Sequence, residues 1–154
     1  MNTTVEQSIG ELLPVQTAVP LCYVCGRENP AGLKLRFTKD SDSAISTEFT
    51  PPTEWTGWGS MLHGGFHGLL LDEVMAWVAW GLMDVRGFVT REMSVRYRKP
   101  AYVGQPLKII GMLVEDQGRD MLVRGEIRDE NGTLLTESSG VIRRIAIDSL
   151  LNPS

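Results

Sequence analysis

The sequence predicts an α+β domain in which a curved sheet wraps one central helix, and three observations predict it. Residues 64–83 form the only long helical pattern. Their apolar side chains, from Leu69 to Met83, cover nearly the whole circumference, so this helix is buried on all sides. Stretches before and after it alternate apolar and polar residues with the two-residue period of half-buried strands. Asn131-Gly132 stands between two of these stretches as a hairpin signal.

In chain order, residues 1–20 read as an N-terminal arm, because Pro14 and Pro20 break any long helix there. A turn-rich stretch from Cys22 to Leu33 follows. Leu33, Leu35 and Phe37 alternate with Lys34 and Arg36. After a turn at residues 39–42, Ile45, Thr47 and Phe49 alternate with Ser46 and Glu48, which predicts a hairpin. Residues 51–59 are a loop holding Trp55 and Trp58. Beyond the helix, residues 93–97, 107–114, 121–127 and 133–145 read as strands, so the domain is expected over 21–148 with a tail at 149–154.

Composition bounds the function. A chain of 154 residues, 42% hydrophobic and 22% charged, buries a core without disulfides or metal. A net charge of −4 argues against a nucleic-acid binder, which needs a basic face. No basic region followed by an apolar run opens the chain, and the most apolar stretch, 66–83, carries Asp72 and Glu73 near its centre. Neither a signal peptide nor a membrane span is expected, and the protein is expected to be cytoplasmic. Cys22 and Cys25 form a C-x-x-C pair with no second pair. His63 and His67 stand at i, i+4 without an H-E-x-x-H carboxylate, so no metal site is expected.

Three segments carry a resemblance. The run from His63-Gly64-Gly65 to Asp72-Glu73 resembles the helix start of the hotdog-fold thioesterases of the PaaI-like and THEM-like groups, which place a carboxylate nine residues after the histidine. Cys22-x-x-Cys25-Gly-x-x-Asn-Pro-x-Gly-Leu resembles the N-terminal signature of one branch. Arg96-Tyr97-Arg98-Lys99-Pro100 is similar to the strand that ends in an aromatic residue, two polar residues and proline. The resemblance spans about residues 21–145. It implies five or six antiparallel strands around the helix, a homodimer or dimer of dimers with sites at the subunit interface, and acyl- or aryl-CoA thioesters as substrates. Coenzyme A is then part of the substrate, and no separate cofactor is expected. An acyl-carrier-protein thioesterase and a non-catalytic acyl-CoA-binding protein are the alternatives, since one fold hosts all three.

Thioester hydrolysis needs an oxyanion site, an activated water or attacking carboxylate, and a grip on the CoA tail. Gly64 and Gly65 suit the first, because a helix N-terminus offers free N–H groups and glycine admits close approach. A tight strand-to-helix turn is the plainer reading of the same two residues. Asp72 suits the second as general base or nucleophile, being a carboxylate on an apolar helix. Glu73, turned by about 100°, is the second choice. His63 is expected to orient the glycine turn or the thioester, and His67 to line the pocket or simply pack.

The resemblance adds Thr90, ten residues before Pro100, as a hydroxyl that orients water. The loop before His63 lacks the Asn or Gln of several relatives, leaving Thr56 or Ser60 to substitute. Trp55, Trp58, Phe66, Met75 and Trp77 suggest an apolar acyl pocket. Arg96, Arg98, Lys99, Arg124, Arg143 and Arg144 are the candidates for CoA phosphates. Gly64 and Asp72 lie eight residues apart, about 12 Å along a helix, so one thioester cannot touch both within a single chain. If both act, the site is composite, with one subunit's Gly65 amide facing its partner's Asp72.

Overall fold

The computed structural model describes residues 8–152. Six strands form one antiparallel sheet: β1 (Thr38–Lys39), β2 (Ala44–Phe49), β3 (Phe88–Tyr97), β4 (Leu107–Asp116), β5 (Asp120–Asp129) and β6 (Leu134–Arg144). Their order across the sheet is β1-β2-β4-β5-β6-β3, which leaves β3 at one edge. Helix α1 (Gly64–Trp77) lies against this sheet, and a short α2 (Ile147–Leu151) follows β6. This is the hotdog arrangement. No helix among the described residues is long and apolar enough to cross a membrane.

Glycines on the sheet let the helix in. Gly111 of β4 pairs directly with Gly125 of β5, which pairs with Ser138 of β6, so small residues form a row across three strands. A Cβ on Gly111 would lie 2.6 Å from the Val74 carbonyl oxygen, and one on Gly125 would lie 2.9 Å from Leu71 Cδ2. Gly140 would place its Cβ 3.0 Å from Met75 Cε. Into this trough α1 presents Leu70, Leu71, Val74 and Met75, all fully buried, each contributing about 1.5–3 kcal/mol of burial energy.

Two local expectations need correction. The helical pattern does run to residue 82, but the α-helix ends at Trp77 and the chain winds on as a wider π turn over Val78–Leu82. Gly81 weakens the α pitch here, and Leu13 Cδ1 lies 2.5 Å from where its Cβ would be. Asp84, with φ of 53°, ends the winding in the left-handed conformation that Asp tolerates.

The first expected strand is also shorter, since only Thr38–Lys39 pairs with β2. Leu35 and Phe37 are buried as the alternation requires. However, the amides of Leu33 and Leu35 donate to Tyr23 and Val24, and the Phe37 carbonyl accepts from Leu13, so no regular ladder forms. The same contacts tie down the described part of the arm, where Leu13 and Gln16 are buried.

Gly111→Ala is expected to lower unfolding free energy by about 1–3 kcal/mol, because its contact is backbone that has nowhere to move. Gly68→Ala, whose Cβ meets only Met93 Cε at 3.8 Å, is expected to raise it by about 0.5–1 kcal/mol. Urea denaturation of the two variants should therefore give shifts of opposite sign.

Candidate active site

His63 caps α1 in an extended conformation, and its Nδ1 accepts the Gly65 amide at 3.0 Å. The Gly65 amide, expected to face a substrate oxygen, is thus engaged by the cap of its own helix. Gly64, at the first helical position, has no intrahelical acceptor for its N–H. Its carbonyl accepts from the Tyr97 hydroxyl at 2.8 Å. Tyr97 therefore ties the end of β3 to the start of α1. Sequence reasoning gave it no role, although its place before Arg98-Lys99-Pro100 was visible.

The helix start opens into a cleft of about 860 Å³, lined by Trp58, Met61, His63, Gly64, His67, Tyr97, Arg98 and Lys99, among others. Trp58 is 87% exposed at its wall. His67 is buried, with Nδ1 2.7 Å from the Thr136 hydroxyl and its ring set edge-on to Tyr97. Burial lowers its pKa and favours the neutral ring.

The other apolar candidates lie outside the cleft lining. Phe66 stacks on buried Trp55 at 4.0 Å, and Trp77 stacks on Phe37 at 4.7 Å, while Met75 is fully enclosed. Trp55, Trp77 and Met75 are buried and Phe66 is half-buried against the core, and none of the four lines the cleft.

Asp72 lies two turns along α1 from the glycines, on the side that faces β3. Thr90 donates its hydroxyl to Asp72 Oδ1 at 2.7 Å. A β-bulge between Thr90 and Glu92 interrupts the pairing of β3 with β6 beside this contact. Within one chain Asp72 does not line the cleft. Thr56, one of the two hydroxyls considered for water, lines the cleft but donates to the Thr53 carbonyl.

Glu73 points elsewhere. Its Oε1 accepts the Trp77 indole N–H at 3.1 Å, and its carboxylate faces Cys22 and Cys25. Burial pushes its pKa up to about 7. The second-choice catalytic carboxylate thus belongs to a different corner of the molecule. The Cys25 thiol donates to Cys22 at 3.4 Å. This contact draws Cys22 down to about 5 and pushes Cys25 up.

Among the basic candidates, Arg143 and Arg144 are tied to Asp120 and Asp116, and Arg98 pairs with Glu137 at 2.7 Å. Arg96 is exposed on β3, and Lys99 sits at the cleft.

The model of the thioesterase superfamily matches residues 59–136, just over half of the chain. An uncharacterized protein of Schizosaccharomyces pombe is 27% identical over 97 residues, which are 63% of this chain and 55% of that protein, so the match spans about half of that relative's length. The crystal structure of RHA08564, a thioesterase superfamily protein, superposes with a TM-score of 0.72 at 25% identity, covering 91% of this chain and 70% of that one. The Escherichia coli PaaI protein of the phenylacetic acid degradation operon gives a TM-score of 0.67 at 16% identity, over 74% and 81% of the two chains. The smu.793 protein of Streptococcus mutans, solved bound to acetyl CoA, gives 0.64 at 16% identity, over 72% and 91%. The fold and the matched span, which includes the His63-capped helix start, agree: the chain belongs to the thioesterase superfamily.

Proposed function

We propose that the protein is an acyl-CoA thioesterase whose site is completed by two subunits. The observation that carries this reading is the separation just described. The start of α1 opens into a cleft of thioester-binding size, while the Asp72–Thr90 pair lies outside it, two turns away. β3, the strand that holds Thr90, is exposed over most of its length at the sheet edge, where a second chain can approach. The acetyl CoA bound to the Streptococcus mutans protein is a fold-level precedent for the ligand.

In this reading the Gly64 N–H, aided by the partial positive charge of the helix start, receives the carbonyl oxygen of the thioester. Asp72 of the partner takes a proton from water as that oxygen bonds to the carbonyl carbon. Collapse of the tetrahedral intermediate breaks the C–S bond, and the proton passes from Asp72 to the departing CoA thiolate. Thr90, by donating to Oδ1, fixes the carboxylate and leaves Oδ2 for the water. The acyl group rests against Trp58 and Met61, and Lys99 and Arg96 are the cations placed to meet phosphate.

Thiol release from a panel of acyl-CoA esters is the test. Asp72→Ala is expected to lower kcat at least ~100-fold, the low end for a general base. Thr90→Val is expected to lower it about 10-fold, equivalent to about 1.4 kcal/mol, with KM little changed. Gly64→Pro keeps the helix start, since proline suits the first helical position and His63 is already extended, but deletes the amide. It should cost about 10²–10³ in kcat.

Refolding Asp72→Ala and Gly64→Pro chains together is expected to restore about a quarter of wild-type activity, because random two-fold pairing leaves one intact site in each mixed dimer. Restoration of nothing above the parents' rates would refute a site shared between chains.

A further inference from the structure

The N-terminal knuckle and the central helix meet at a group of side chains that the proposed hydrolysis does not use. Cys22 Sγ, Cys25 Sγ and a Glu73 carboxylate oxygen lie within 4.8 Å of one another, and the two sulfurs are 3.4 Å apart. The backbone around the sulfurs is closely fitted. A Cβ on Gly26 would fall 2.4 Å from the Pro20 carbonyl and 2.5 Å from the Cys22 backbone, so only glycine closes this turn. The Gly26 amide donates to the Cys22 carbonyl at 2.9 Å, and Glu28 donates to Pro20 at 3.0 Å.

Partners surround the three donors. Buried Gln16 directs Nε2 to Cys25 Sγ at 3.5 Å and is itself held by both backbone groups of Val19. The Trp77 indole N–H donates to Glu73 Oε1 at 3.1 Å and helps fix the carboxylate. Such outer hydrogen bonds orient the ligands in metal centres. Three groups able to become anions therefore share one small space, and among the described residues no Lys or Arg forms an ion pair with Glu73. A positive charge is the missing complement.

We propose that Cys22, Cys25 and Glu73 form a binding site for one soft or borderline divalent cation, of which Zn²⁺ is the type. Two thiolates and a carboxylate suit Zn²⁺ and disfavour Mg²⁺ and Ca²⁺, which take oxygen ligands. The separations match donors arranged around a single small ion, and half-buried Cys22 leaves a side open for water as the fourth ligand. Binding releases the remaining ligand protons to solvent. The ion would clasp residues 22–25 to α1 at Glu73, next to Asp72, joining parts of the chain about fifty residues apart in sequence.

The experiment uses the full chain, stripped of metal under reducing conditions and titrated with Co²⁺, with Zn²⁺ as competitor. One Co²⁺ per chain is expected, with a thiolate-to-cobalt charge-transfer band in the near ultraviolet and tetrahedral d–d bands in the visible. Zn²⁺ should abolish both and raise Tm by about 5–10 °C at one hundred times its Kd. Ca²⁺ and Mg²⁺ should do neither. Cys25→Ser should remove the charge-transfer band. Glu73→Gln, which keeps the contact with Trp77, should weaken Co²⁺ at least ~10-fold while leaving the circular dichroism spectrum unchanged.

The proposal fails if no charge-transfer band forms at a tenfold excess of Co²⁺. It fails equally if Glu73→Gln binds as tightly as wild type, since two cysteines alone would then explain the metal. Air oxidation to a Cys22–Cys25 disulfide at the same rate with and without Zn²⁺ would also overturn it. None of these readings depends on thioester hydrolysis.

Discussion

The structure depends on how closely one helix can approach one sheet. Gly111 and Gly125 face each other across β4 and β5, and neither tolerates a Cβ where the helix backbone and Leu71 lie. Close packing of this kind leaves no slack, so the helix can neither rise off the sheet nor slide along it without opening voids or clashes. Its rotation about its own axis is fixed as well, because Leu70, Leu71, Val74 and Met75 must all be enclosed. Every side chain not in that set is thereby assigned a direction.

Three chemistries follow from that one placement. The N-terminus of α1 is carried to the cleft, where Tyr97 and the His63 cap hold the glycine turn. Asp72 is turned toward β3 and meets Thr90 at the bulge. Glu73, one residue on, is turned about 100° away and meets the two cysteines. Adjacent carboxylates on a helix thus acquire unrelated surroundings, one beside a hydroxyl on an edge strand and one half-buried against two thiols. The raised pKa of Glu73 has its origin in burial.

The edge strand β3 carries a comparable division of labour. Its inner contacts reach Asp72 through Thr90 and Gly64 through Tyr97, so one strand braces α1 at its start and two turns along it. Its remaining residues are mostly exposed. An exposed edge strand leaves backbone groups for another chain to pair with, and in the proposed reading that cover is a second copy of the chain.

The hydropathy pattern alone determined that one apolar helix is central and that alternating strands surround it, although only part of that helix's circumference is fully buried. Both depend on side-chain period, which is local and written residue by residue. The glycine turn and a carboxylate on the same helix were legible for the same reason, and the spacing of three segments pointed to the family. What the pattern did not contain was direction. Phe66, Met75, Trp77 and Trp55 read as a pocket, and only the packed helix shows Phe66 stacked on Trp55, Trp77 stacked on Phe37 and Met75 enclosed, all away from the cleft.

Gly65 reads as an open amide until the His63 ring is seen to fold back on it. Glu73 reads as Asp72's neighbour until the knuckle from fifty residues earlier closes over it. Each of these depends on contacts between segments far apart in the chain, whose register is set by packing against the sheet and not by any property of the residues themselves.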